Sequence, residues 1–372
     1  MNVLQISKFF WPVLGGIERV AWELAEGLER LGLRSDVLCA NHERVTSQEQ
    51  LTSGYQVVRA ASWGMLLSTS MAPAMLPALR RLAAECDVIH LHMPDPMAAA
   101  ALWAVRPKVP VVVHWHSDVI RQRRTMKVYE PLQRWVLQRA NAIIATSQPY
   151  ADASLSLRPW REKVEVIPIG VSDRWHAQDS AAALALRQRF GGRRIVFALG
   201  RMTYYKGFDV LINAAAALPE DSMVVIGGDG EKLACHRAHV ARLGLTHKVR
   251  LVGHIPDSEL RSYFEASDVF CMPSTVRAEA YGVAMVEAMM MGKAVVATDI
   301  KGSGVPWVNR HGETGFNVPV SEPAELARVL CEVLADDAQR LRVGRAARDR
   351  YLAEFSADLM TRRIAGIYQR LI

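Results

Sequence analysis

Short apolar runs rich in Val, Ile and Leu alternate with helix-like segments from end to end, and the alternation restarts after Pro168-Ile169-Gly170. Strands separated by helices of about ten residues or more build βαβ units, and such units build parallel sheets. In the first half the pattern predicts strands at Asn2–Ser7, Arg34–Cys39, Tyr55–Arg59, Val88–Leu91, Val109–Trp115, Ala142–Thr146 and Val164–Ile167. Helices are expected between them at Gly16–Leu31, Pro73–Ala84, Pro96–Ala104, Leu132–Arg139 and Gln148–Leu157. In the second half strands are expected at Arg194–Leu199, Ser222–Gly227, Val249–Val252, Val269–Met272, Ala294–Thr298 and Gly315–Val318. Their helices are Phe208–Ala217, Glu231–Leu243, Asp257–Ala266 and Val283–Met291, followed by Pro323–Ala335 and Asp337–Ala353. A last segment, Phe355–Ile372, carries Leu359, Ile364, Ile367, Tyr368 and Leu371 at helical spacing. At 372 residues the chain exceeds one ordinary domain, and two doubly wound halves joined near residue 175 are the simplest solution. No period of about 20–50 residues repeats, which excludes a solenoid.

Half the residues are apolar and 22% are charged, the balance of a globular enzyme. No apolar run reaches the roughly 18 residues of a spanning helix. Val3-Leu4-Gln5-Ile6 reads as a strand rather than a signal peptide, so a cytoplasmic protein is expected. The five cysteines are scattered without a C-x-x-C pair, and buried free thiols are expected rather than a zinc site. The net charge of +7 suits an anionic partner. Part of it comes from Arg121, Arg123, Arg124, Lys127, Arg134 and Arg139, a run whose only acid is Glu130. Two readings stand for that run: a solvated helix face, or a patch facing anionic lipid or a diphosphate-linked acceptor. No nucleic-acid motif accompanies it.

Chemistry concentrates in four places. Arg277–Lys293 carries Glu279 and Glu287 eight apart, between a strand and an apolar helix, with Gly282 at the turn. A helix starting there turns free N–H groups and a positive dipole end toward a ligand, which suits an anion. Two carboxylates straddling that start would hold hydroxyl-bearing parts on either side of a negative centre, the shape of a nucleotide sugar. Arg201 and Lys206, in Gly200-Arg-Met-Thr-Tyr-Tyr-Lys-Gly207, follow a strand end where a fork-shaped and a point-like cation can neutralise a diphosphate. Gly15-Gly16 forms a strand-to-helix turn that brings backbone N–H groups near an anion, but it is not a G-x-G-x-x-G dinucleotide fingerprint. His114-Trp-His116-Ser-Asp118 ends a strand; no third metal-ligating cluster is expected beside it, and no D-x-D pair occurs in the chain.

Together these motifs resemble the retaining glycosyltransferases of family 4, whose signature E-[GA]-[FY]-G-[LIV] with a second Glu matches Glu279 to Glu287. The resemblance extends from Gly15 to Gly315. It takes in Gly227-Gly-Asp-Gly230, Val252-Gly-His-Ile255-Pro, His90-Leu-His92-Met-Pro-Asp95-Pro, Ser303-Gly-Val-Pro306 and Gly312-Glu-Thr-Gly315. Departures are Tyr281, where Phe is usual, and Ile169, where Asn is frequent.

The resemblance implies an α/β GT-B fold, with two Rossmann-like doubly wound parallel-sheet domains facing a deep cleft. Residues 1–175 would bind the acceptor and residues 176–354 the nucleotide sugar, with a crossover helix at about 355–372 returning to the first domain. Among site residues it implies that Arg201 and Lys206 hold the donor phosphates and that His116 lies by the reactive sugar. Glu279 would bind sugar hydroxyls and Glu287 the ribose. Gly15, Gly16, Gly228, Ile255, Tyr281, Gly282, Val283 and Ala284 would complete the donor site. No cofactor or bound metal is implied.

The expected activity is transfer of a hexose, with mannose from GDP-mannose preferred over a UDP-sugar. The acceptor would be a saccharide, free or carried on polyprenyl diphosphate, in envelope polysaccharide assembly, with peripheral contact to an anionic inner membrane. A non-catalytic sugar-nucleotide-binding protein and a GT-B epimerase are the readings of other classes. A Rossmann oxidoreductase would need the missing dinucleotide fingerprint.

Overall fold

The computed structural model describes residues 1–13, 15–67, 69–119, 123–173 and 180–372, with the side chains of residues 123–126 and 180 excepted. Arg121, the side chains of Arg123 and Arg124, and the joint near residue 175 therefore lie outside the described residues. The chain divides into two compact units, one of Met1–Ser172 with Ser356–Ile372 and one of Asp173–Phe355.

The first unit holds β1 (Asn2–Ile6), β2 (Arg34–Ala40), β3 (Ser47–Gln50), β4 (Gln56–Ala60), β5 (Met65–Leu66), β6 (Thr69–Ser70), β7 (Val88–Met93), β8 (Val111–Trp115), β9 (Ala142–Ala145) and β10 (Val164–Val166). Eight of these form one sheet in the order β10-β9-β8-β7-β1-β2-β4-β3, while β5 and β6 make a separate hairpin. All pairs in the large sheet are parallel except β3 with β4. β7 and β8 are buried on both faces, as central strands of a covered parallel sheet must be. Helix Ala357–Leu371, capped by Ser356, belongs to this unit and lies so close to helix Gly16–Arg30 that a Cβ on Gly27 would fall 2.2 Å from Thr361 Oγ1.

The second unit holds β11 (Arg194–Leu199), β12 (Ser222–Gly227), β13 (Val249–Gly253), β14 (Val269–Met272), β15 (Ala294–Thr298) and β16 (Gly315–Val318). They form a parallel sheet in the order β13-β12-β11-β14-β15-β16. Its core packs Val196, Phe208, Leu211, Ile226, Val269, Val296 and Leu330 between sheet and helices. Each such fully buried side chain contributes about 1.5–3 kcal/mol relative to exposure.

Three elements depart from the expected pattern. Helix Arg123–Arg139 begins well before Leu132, because Pro131 stands exposed inside the helix instead of starting it. Helix Ser180–Arg189 was unforeseen, although its alanines favour helix. Strand β3 is polar and fully exposed at the sheet edge, so it lacks the apolar alternation by which strands are read. Of the cysteines, Cys39 and Cys271 are buried but Cys235 is exposed. No helix among the described residues is long and apolar enough to cross a membrane.

Candidate functional site

In each sheet, strand order reverses at one point, and the carboxyl ends of the two strands flanking that point are where ligands of such sheets bind. In the second unit the reversal falls between β11 and β14. Arg201 and Lys206 follow β11, and Glu279 follows β14. The two loops are tied together by the Thr275 N–H, which donates to Tyr205 O at 2.8 Å. Between them Lys206 Nζ meets Glu279 Oε2 at 2.6 Å, and Ser274 Oγ donates to the same oxygen at 2.9 Å. Burial alone would lower the Lys206 pKa, but the Glu279 carboxylate more than offsets it and holds the ammonium above the ordinary lysine range. Glu279 is buried, and Lys206 and Ser274 draw its carboxylate inward. Its backbone is held in turn, since Ser303 Oγ donates to Glu279 O and the Gly304 N–H donates to Ala280 O at 2.8 Å. Arg201 is exposed.

Gly282 caps helix Val283–Met290 with φ 90°, a conformation that favours glycine, and a Cβ there would lie 2.7 Å from Met272 Cε. The first helical bonds run from Met285 and Val286 to Gly282 O, so the N–H groups of Val283 and Ala284 precede the helical ladder. Glu279 stands before this helix start and Glu287 lies buried within the helix. The Tyr281 ring is buried and packed edge-on against Phe355 at 6.3 Å. Gly228, at φ 124°, presses on the loop after β11: a Cβ there would fall 2.0 Å from Gly200 O. Ile255 is buried and packs against Gly227.

In the first unit the order reverses between β1 and β7. Gly15 caps the helix that follows β1, with Gly16 as its first residue. The Glu18 carboxylate folds back to within 2.1 Å of where a Gly15 Cβ would be, so an anion at this helix start would have a competitor. Asp95 caps helix Pro96–Val105, accepting from the N–H groups of Met97 and Ala98 at 3.1 and 3.3 Å, and burial pushes its pKa up to about 6.

The expectation of no third ligating group near His114 and His116 is overturned. β7 and β8 pair with His92 opposite His114, and period-two alternation puts His90, His92, His114 and His116 on one face. All four are buried. His90, His92 and His114 bring ligating nitrogens within 4.8 Å of one another. Those nitrogens are largely spent on each other: His90 Nε2 and His114 Nδ1 lie 3.2 Å apart, His92 Nδ1 and His116 Nε2 2.9 Å, and the Tyr368 hydroxyl reaches His90 Nδ1 at 2.6 Å. Burial holds all four histidines below their ordinary pKa, His114 at about 3, so the cluster is neutral at physiological pH.

The sequence agrees with two family descriptions, Glycosyltransferase Family 4 over residues 14–175 and Glycosyl transferases group 1 over residues 186–350. It is 33% identical over 359 residues to the D-rhamnosyltransferase WbpZ of Pseudomonas aeruginosa, across 96% of this chain and 93% of that protein. The chain belongs to glycosyltransferase family 4. It is also 29% identical to the O-antigen chain mannosyltransferase C of Escherichia coli, across 100% of this chain and 99% of that one. The Anabaena protein HepE, solved with UDP-glucose, superposes with a TM-score of 0.82 at 22% identity, each chain covered in full, which shows the shared fold. This chain is a transferase with the two Rossmann-like domains of the GT-B architecture.

Of the residues foreseen, Lys206 and Glu279 are in contact, and Gly282, Val283 and Ala284 form the helix start just beyond Glu279. His116, Gly15 and Gly16 lie in the first unit. Ser274, Gln5 and Tyr368 were not foreseen as part of this chemistry, whereas His92 and Ser303 stood in motifs of the resemblance without a stated role. Gln5 carried a signal, being a polar residue inside the apolar run Val3–Ile6; Tyr368 looked like one more apolar-face residue of the last helix.

Proposed function

We propose that this enzyme transfers a hexose from a nucleoside diphosphate sugar to a saccharide or lipid-linked saccharide acceptor in cell-envelope polysaccharide assembly, with retention of anomeric configuration. The preferred donor is GDP-mannose. The observation that carries the proposal is the Lys206–Glu279 pair beside the helix start at Gly282. One member is a cation for the leaving phosphate, the other a carboxylate for the sugar. Glu279 Oε2 already accepts from Lys206 and Ser274, which leaves Oε1 for a sugar hydroxyl. As the glycosidic bond breaks, negative charge grows on the β-phosphate. Arg201, Lys206 and the N–H groups of Val283 and Ala284 act as preorganised partners for it. Glu287 takes the ribose hydroxyls, and backbone near Gly228 and Ile255 flanks the nucleotide.

A double displacement would need a second carboxylate close across the sugar. In its absence from the motifs, front-face displacement fits, with the leaving phosphate accepting the acceptor's proton. The mannosyl preference draws on the runs Ser303–Asn309 and Arg277–Glu279, on the Escherichia coli mannosyltransferase and on the envelope setting its name states. Purified enzyme offered a panel of radiolabelled GDP- and UDP-sugars should consume GDP-mannose fastest, and should do so in excess EDTA. Consumption of UDP-hexoses alone would reassign the donor; activity lost to EDTA and restored by magnesium would contradict the metal-free scheme.

Contact with an anionic membrane is the second part of the proposal. Trp63, Met65, Leu66 and Leu67 are exposed on the β5–β6 hairpin, and Arg80 and Arg81 are exposed on helix Met75–Leu82. Met75 and Leu79 on that helix are buried in the core and take no part in the exposed surface. Arg139 leaves the basic patch too, because its guanidinium donates to the carbonyls of Pro107 and Val109. Exposed apolar side chains and exposed cations in the same unit suit reversible attachment, each basic residue adding about 1 kcal/mol near an anionic surface. The enzyme should sediment with anionic but not neutral liposomes and be released by high salt, and Leu66→Asp should weaken binding. Equal recovery in the supernatant with both vesicle types would leave the hairpin without this role.

A further inference from the structure

The four-histidine cluster has a direction, and Gln5 sets it. The Gln5 side chain is fully buried in β1, and four groups surround its carboxamide: Ala21 O, Ala25 N, Ser35 Oγ and His92 Nε2. Two of these are backbone groups that cannot exchange roles. Ala21 O can only accept, and the Ala25 N–H can only donate. One orientation of the amide satisfies both. Its nitrogen donates to Ala21 O at 3.2 Å and to His92 Nε2 at 2.9 Å, while its oxygen accepts from Ala25 N at 3.1 Å and Ser35 Oγ at 2.9 Å. Because His92 Nε2 must then accept, the single proton of this neutral ring sits on Nδ1. Nδ1 lies 2.9 Å from His116 Nε2, so that nitrogen accepts as well. The His116 proton is thereby left on Nδ1, the ring nitrogen that has no hydrogen-bond partner among the described residues.

We infer that Gln5 and His92 are positioning residues that lock His116 as its Nδ1–H tautomer, so that it presents a hydrogen-bond donor, not a base, to an oxygen of its ligand. The Nδ1–H assignment holds for neutral rings, and burial keeps both neutral. It also selects among ligand chemistries: a hydroxyl or ring oxygen is accommodated, whereas an ammonium or a second N–H donor is refused. That the oxygen belongs to the donor sugar rests on the proposed function; the tautomer does not.

The test is long-range proton–nitrogen NMR on protein carrying ¹⁵N-histidine, with His116→Gln used only to assign the His116 signals. Wild type should show a protonated Nδ1 and a bare Nε2 at His116. Gln5→Glu substitutes an acceptor that draws a proton onto His92 Nε2, which reverses the relay. His116 should then carry its proton on Nε2, and kcat should fall about 10-fold with little change in donor KM, the loss of one hydrogen bond. If the buried carboxylate prevents folding, Gln5→Met removes the anchor at similar size, and both tautomers of His116 should appear. A wild-type Nε2–H signal at His116 would overturn the inference, as would the wild-type tautomer persisting in whichever of the two variants folds. The spectrum is read without substrate. A protein that shows the Nδ1–H form yet transfers no sugar supports the relay and removes the proposed function instead.

Discussion

Lys206→Ala is expected to lower kcat by about 10²-fold or more, the loss seen when a donor aimed at developing negative charge is removed. It should also lower stability. Lys206 and Glu279 are both about nine-tenths buried and 2.6 Å apart, so the truncation strands a carboxylate whose remaining side-chain partner is Ser274. Breaking such a pair from one side costs about 3 kcal/mol. Arg201→Ala separates the two effects. Arg201 is exposed, so its loss should cut kcat to a similar degree while moving stability by no more than about 0.5 kcal/mol. Stopped assays with saturating donor and urea unfolding of both variants check this. Wild-type turnover in either would remove that residue from the phosphate site.

Glu279→Gln is the second large effect. The amide keeps the shape and can still accept from Lys206 through its oxygen, but it cannot offer charge to both Lys206 and a sugar hydroxyl. Transfer should fall by about 10²-fold or more. The variant also changes pH behaviour. In the wild type the folded Lys206 pKa is raised above its unfolded value. Its contribution to stability is therefore fully present below the unfolded lysine pKa and is lost only as pH rises through the folded value, in alkali. Without the carboxylate, burial and the Arg201 charge pull the pKa down against Tyr205 alone, so residual activity should decline as pH rises at values where the wild type is unaffected. A parallel pH profile for variant and wild type would show that Glu279 does not hold the ammonium.

β11, β12, β14 and β15 were legible because each is a short apolar run closed by Gly, Pro or Asp, and their burial leaves no polar alternation to confuse the reading. Strand β3 escaped for the opposite reason: Ser47–Gln50 is polar and exposed, held by its pairing with β4. At the site, Lys206 and Glu279 were legible as residues but not as partners. They stand 73 positions apart, and only the adjacency of β11 and β14 in the sheet brings them together. The sequence suggested separate tasks, phosphate for one and sugar for the other; the structure makes each the electrostatic support of the other. The histidines show the same gap. Two H-x-H runs are visible in the sequence, but their union depends on the parallel register that sets His92 opposite His114. Gln5 fixes the direction of that network through its own amide orientation, which no spacing rule carries.

Retaining transfer from a nucleoside diphosphate hexose dictates which anomer is released first. Enzyme incubated with GDP-mannose, an α-linked donor, should slowly hydrolyse it when no acceptor is present. Proton NMR of the anomeric region, recorded before mutarotation equilibrates the sugar, should show α-mannose appearing first and in step with GDP. β-Mannose appearing first would contradict retention, and a donor left intact across the whole GDP- and UDP-sugar panel would contradict the account as a whole.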